Sequence, residues 1–119
     1  MTAAELFHAA RAAGEGFQGP VNEFVDEFRR ASPETRPTMI VDPLSGPGAL
    51  EGLVAAIVSA LCRETGTLVP AWVGETFSPD PFFAFPARSY ELRLRLLLES
   101  PAAFRIRNVY VPESYLSRA

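Results

Sequence analysis

The amino-acid sequence predicts an all-α fold, a compact bundle of four or five short helices crossed by a proline-rich aromatic segment. Three observations carry this expectation. Apolar side chains recur at helical spacing in two separate stretches, around Val21 to Phe28 and Leu50 to Leu61. Residues that start, cap or stop helices stand at matching offsets. A third, leucine-rich stretch at 89–99 lacks the β-branched residues that strands favour.

The first helix is expected over Ala3 to Ala13. Thr2 and Glu5 have capping-box spacing, in which each side chain satisfies an N–H the helix leaves orphaned. Leu6, Ala9, Ala10 and Ala13 share a face, but alanines bury little, so this helix depends on tertiary support. Gly14 and Gly16 are expected to end it. A second helix is expected to start at Pro20, whose missing N–H costs nothing in a first turn, and to reach Arg30 or Ala31. Val21, Phe24, Val25 and Phe28 make its apolar stripe. Glu23, Asp26 and Glu27 face away, and Arg29 and Arg30 complement the dipole at its end. Prolines 33, 37, 43 and 47 then break the chain into short pieces, with Thr38 to Val41 expected to be extended.

The third helix is expected over Ala49 to Thr65, with a wide apolar face and Gly66 as its stop. Leu68 to Val73, with Trp72, reads as a connector or short strand, and Phe77 to Pro86 as the crossing segment. Residues 89–99 carry two patterns. Leu92, Leu94 and Leu96 alternate as in a strand, while Leu92–Leu96 and Leu94–Leu98 repeat at i,i+4. The helix-favouring composition and a Ser89 N-cap select the helix. Ser100 as the cap and Pro101 in the first turn are expected to launch a short helix through about Arg105. Val109 to Val111 should be extended, and Glu113 to Ser117 a final turn.

These elements belong to 119 residues, 13.0 kDa, which suit a single helical domain over 1–119. One cysteine, Cys62, excludes an internal disulfide and multi-cysteine metal sites, and one histidine, His8, excludes a multi-histidine centre. No signal-peptide pattern opens the chain and no apolar run approaches a membrane span, so a cytoplasmic protein without membrane attachment is expected. The net charge of -3 is unevenly distributed. Residues 1–80 hold 5 basic and 11 acidic side chains, and residues 81–119 hold 6 basic and 3 acidic. The acidic body disfavours phosphate backbones, while the last third can present a local positive face.

Candidate catalytic groups are few. His8 and Glu5 at i,i+3 could form an acid–base pair, but no nucleophile lies nearby in sequence, and an exposed or structural imidazole is expected. Cys62 sits late in an apolar helix, where burial makes a thiol inert. Glu23, Asp26 and Glu27 read as a solvated helix face rather than the opposed carboxylates of a glycosidase. Ser45-Gly46-Pro47-Gly48 precedes a helix but lacks the lysine and glycine spacing of a nucleotide loop, so no cofactor is expected. Phe77, Phe82, Phe83, Phe85 and Trp72 read first as a lid over the core and second as a docking surface. Arg93, Arg95, Arg105 and Arg107 can cover the chain's own acidic surface, engage a partner's carboxylates or, with Asn108, meet nucleic acid.

The stretch Ser100 to Val111, SPAAFRIRNVYV, preceded by Trp72, Pro81-Phe82-Phe83 and the leucine-rich 92–98, resembles the closing segment of a group of small bacterial proteins of unassigned function. The resemblance covers roughly residues 70–119. Such segments are similar to ones found beside regulatory or antitoxin-like modules, and this implies binding rather than catalysis. Ile106 departs from the group, where another arginine is common, and that weakens a strongly basic surface. The expected role is a non-catalytic protein-interaction or regulatory module. Phe82, Phe83, Arg105, Arg107 and Tyr110 are the expected partner-facing residues, and self-association is compatible with them. The alternatives are a nucleic-acid-binding regulator using Arg93, Arg95, Arg105, Arg107 and Asn108, and a small enzyme of unknown class.

Overall fold

A computed structural model describes residues 1–84 and 89–117. The chain is mostly helical, with helices α1 (Ala3–Ala13), α2 (Gln18–Arg30), α3 (Arg36–Met39), α4 (Ala49–Thr65), α5 (Ala71–Gly74), α6 (Tyr90–Glu99) and α7 (Ala102–Arg105). Of these, α3, α5 and α7 are single turns of four residues. Two short strands, β1 (Phe82–Phe83) and β2 (Val109–Tyr110), pair in parallel, with Phe82 opposite Val109 and Phe83 opposite Tyr110. The expected all-α class therefore gains a minimal sheet. It forms because Phe82 and Ala84 donate backbone N–H groups to the Asn108 and Tyr110 carbonyls, a pairing 26 residues apart that local pattern does not reveal.

Helix α4 is the centre. Seven consecutive residues, Gly52 to Val58, are buried, which requires neighbours on every side of the helix. Helices α1 and α2 pack against it, as do α5, α7 and β2. From α2 come Val21, Phe24, Val25 and Phe28, and from α1 Ala3, Leu6 and Ala10, all closed to solvent. Burying each large side chain contributes roughly 1.5–3 kcal/mol before conformational entropy is subtracted. Gly52 lets the chain at Phe77 and Ser78 lie directly on α4, since a Cβ there would stand 2.7 Å from the Ser78 nitrogen. Gly66 closes α4 in the left-handed conformation at φ 72°, with its N–H and that of Thr67 on the Cys62 carbonyl.

The cap at Thr2 is the expected box. Glu5 N–H donates to Thr2 Oγ1 at 3.1 Å and Thr2 N–H to Glu5 Oε1 at 2.8 Å. These bonds, the Thr2 backbone N–H first, hold the Glu5 carboxyl below its ordinary range. Helix α2 begins two residues before Pro20, because a 3₁₀ turn at Gly14–Gly16 carries the chain straight into it and Val21 N–H reaches the Phe17 carbonyl.

Three local expectations are corrected. Thr38 to Val41 is not extended, since Arg36–Met39 forms a helical turn. Ser32 accepts the Thr35 and Arg36 N–H groups, and the Arg36 guanidinium donates to the Phe28 and Arg29 carbonyls at the end of α2. The connector at Leu68 to Val73 ends in a helical turn, with Trp72 8% exposed and its indole N–H on the Ile40 carbonyl at 2.9 Å. Ser100 does not cap α7, whose N-cap is Pro101. Its buried hydroxyl instead accepts the Val111 N–H at 2.8 Å and stands within donating distance of the Leu96 and Val111 carbonyls, tying the end of α6 to the chain after β2.

Candidate interaction surface

The last third of the chain holds every residue of the expected partner-facing and nucleic-acid sets, and the structure divides them. Phe83 and Tyr110, neighbours across the strand pair, lie ring against ring at 5.3 Å with 31° between planes. The Arg93 guanidinium stands over the Phe83 ring at 5.8 Å, a cation–π contact that joins α6 to the sheet. Both aromatics are half-buried and Arg93 is exposed. Phe82 points to the opposite face of its strand, where its ring meets Phe17 at 6.0 Å. Phe85, of the expected aromatic lid, lies outside the described residues.

Two members of the nucleic-acid set, Arg107 and Asn108, are turned toward the chain itself. Arg107 is 7% exposed. Its Nε and Nη2 donate to the Val73 carbonyl at 3.2 and 3.1 Å, and its Nη1 to the Ala103 carbonyl at 2.7 Å. Those carbonyls belong to single-turn helices, which leave their acceptors unpaired, so the guanidinium closes both turns. Burial depresses the Arg107 pKa. Asn108 adopts φ 62°, donates through Nδ2 to the Ser78 carbonyl and accepts the Tyr110 hydroxyl at 3.0 Å. Both side chains brace the loop that feeds β2 and are spent on the chain itself. Arg105 is exposed on α7, and Arg95 is exposed with its Nε on Glu99 at 3.1 Å.

Sequence reasoning missed the most conspicuous surface. Only Leu96 of α6 is buried. On a helical wheel Tyr90, Leu94, Leu97 and Leu98 fall within about a third of the circumference, opposite Leu92 and Leu96. Their exposures are 80%, 44%, 38% and 72%. An open groove of about 480 Å³ runs along this helix, lined by Ser89, Glu91, Leu92, Leu94, Arg95 and Leu98. The signal was legible in the five leucines of 92–98, which occupy both sides of the helix where a one-sided packing helix would carry charge.

The candidate catalytic groups stand apart. His8 is exposed, with its ring edge-on to Phe7. The Cys62 thiol is buried in α4, and desolvation pushes its pKa up to about 11. Among the described residues no three His, Cys, Asp or Glu side chains gather as metal ligands, and no helix is long and apolar enough to cross a membrane. Comparison with protein-family models, with characterised proteins and with solved structures finds no match for this chain.

Proposed function

We propose that this protein is a non-catalytic protein-interaction module whose contact face is α6, with the neighbouring Arg93–Phe83–Tyr110 stack beside it. One observation carries the reading. A helix with apolar side chains on two opposite faces is normally covered on both, and α6 is covered on one. Leaving Leu94 and Leu98 in water is unfavourable, and covering them with a partner recovers roughly 25 cal/mol per Å². The exposed arginines 93, 95 and 105 suit a polar rim around that apolar centre. An antitoxin-like or regulatory role is the form of this reading that the resemblance over residues 70–119 suggests.

The test is affinity purification of the tagged chain from its native lysate with quantitative mass spectrometry, beside the double variant Leu94→Glu/Leu98→Glu. One protein recovered in stoichiometric amount by the wild type and lost from the variant is the expected result. Equal recovery by both chains would remove α6 from the interface. Fluorescence anisotropy against DNA and RNA at several salt concentrations tests the nucleic-acid alternative, because phosphate-led binding must weaken steeply as salt rises.

A further inference from the structure

We propose that the partner covering α6 is a second copy of this chain, bound through α6 in an antiparallel, two-fold symmetric pair. The inference rests on the reading of α6 as the contact face and adds the identity of its occupant. Its argument is charge self-complementarity. The apolar stripe is bordered on one side by Glu91 and Arg95, one helical turn apart and of opposite sign. When two identical helices pack antiparallel, each border faces the same border of the other copy, running in reverse. Glu91 of each copy then approaches Arg95 of its mate, and the pair forms twice. The stripe centres on Leu94, so the same alignment puts Leu94 near its own copy and Tyr90 opposite Leu97 and Leu98. Arg95 keeps donors for this contact, since its bond to Glu99 uses Nε.

The area is consistent with a reversible dimer. The four stripe residues expose roughly 400–500 Å² per copy, the size of the larger apolar patches found on monomers, and twice that approaches the roughly 1,000 Å² floor of a specific interface. The border residues add to it. An interface of this size falls among weak, reversible associations.

Sedimentation equilibrium across a concentration series tests the proposal, with circular dichroism confirming that each variant keeps its helices. Leu94→Glu/Leu98→Glu should weaken dimerisation by at least roughly 30-fold. Glu91→Arg leaves positive charge at both border positions and Arg95→Glu leaves negative charge at both, so each chain alone should dimerise about tenfold more weakly than wild type. Mixed together, the two single variants should form a heterodimer at near wild-type strength, which only contact between these borders produces. A wild type that stays monomeric at about 100 μM, or a dimer that ignores all four substitutions, would overturn the second-copy inference. Neither result touches the wider reading of α6 as an interface, which falls only with the affinity-purification comparison.

Discussion

Helices α4 and α6 make an instructive pair. Both carry apolar residues on opposite faces, and the fold treats them in opposite ways. Around α4 the chain supplies α1, α2, α5, α7 and β2, so the helix is enclosed from Gly52 to Val58. Around α6 it supplies cover for Leu96 and part of Leu92, and leaves Tyr90, Leu94, Leu97 and Leu98 in solvent. Apolarity on opposite faces is thus a requirement for cover, and it does not say who provides it. A central helix obtains its cover within the chain, and on the proposed reading a peripheral one obtains it from another molecule.

The sharpest way to break this contrast is to truncate one side chain in each region. Phe28→Ala removes a fully buried ring that packs on Phe24 and lies beneath the Arg36 guanidinium. It is expected to cost about 3–5 kcal/mol in urea unfolding. Leu98→Ala, 72% exposed, should change monomer stability by no more than about 0.5 kcal/mol. Comparable losses from both would mean that α6 is enclosed after all.

The cover over α4 can be pried off from one glycine. Gly52→Ala puts a methyl group 2.7 Å from the Ser78 backbone nitrogen, and backbone cannot swing aside as a flexible side chain can. Destabilisation of roughly 1–3 kcal/mol is expected, against the slight gain that alanine normally gives inside a helix. A thermal melt showing stabilisation would place the segment at 77–78 farther from α4.

Ser100 sharpens the comparison where the two regions join. Ser100→Ala leaves the buried Val111 N–H without its acceptor and should cost about 1–3 kcal/mol. Because the same hydroxyl sits over the last turn of α6, amide hydrogen exchange in α6 should quicken more than exchange in α4. Equal protection losses in both helices would show that they unfold as one unit.

A smaller loss than at Phe28, Gly52 or Ser100 is expected on the far side of the core. Arg29 grips Glu64 through two nitrogens at 2.8 and 2.9 Å and donates a third bond to the Leu116 carbonyl, linking α2, α4 and the C-terminal turn. The Arg29 hydrogen bond holds the Glu64 carboxyl below its ordinary pKa. A carboxylate depressed in the folded state stabilises fully above its unfolded pKa of about 4.3, and the gain fades as pH falls through the lower, folded value. With Glu64 46% exposed, solvent limits the contribution to at most about 1 kcal/mol. Glu64→Gln should therefore lower stability slightly at pH 7 and flatten its acid limb below pH 4.5, a difference read from urea midpoints against pH.

Much of the helical framework was legible because its causes are local. The Thr2–Glu5 box, the α2 stripe, the Gly66 stop and the Ser89 cap each act within one or two turns, and all four appear where the spacing put them. The misreadings share the opposite property. The turn at Arg36–Met39 is held by a guanidinium reaching back to α2, and the strand pair joins segments 26 residues apart. The arginines show the same limit. Arg105 and Arg107 look alike in sequence, two positions apart, and one is in solvent while the other closes two helical turns from inside.

The sequence by itself determined where most helices begin and end and which residues within them are apolar, because capping and periodicity are written in neighbours. The tertiary structure decided which apolar faces are covered and which arginines stand at the surface. Both depend on chain segments brought together from far apart, such as the Val73 carbonyl that receives Arg107 across 34 residues. That is why the leucines of α6 are legible in the sequence only as a helix pattern and stand in the fold as a surface.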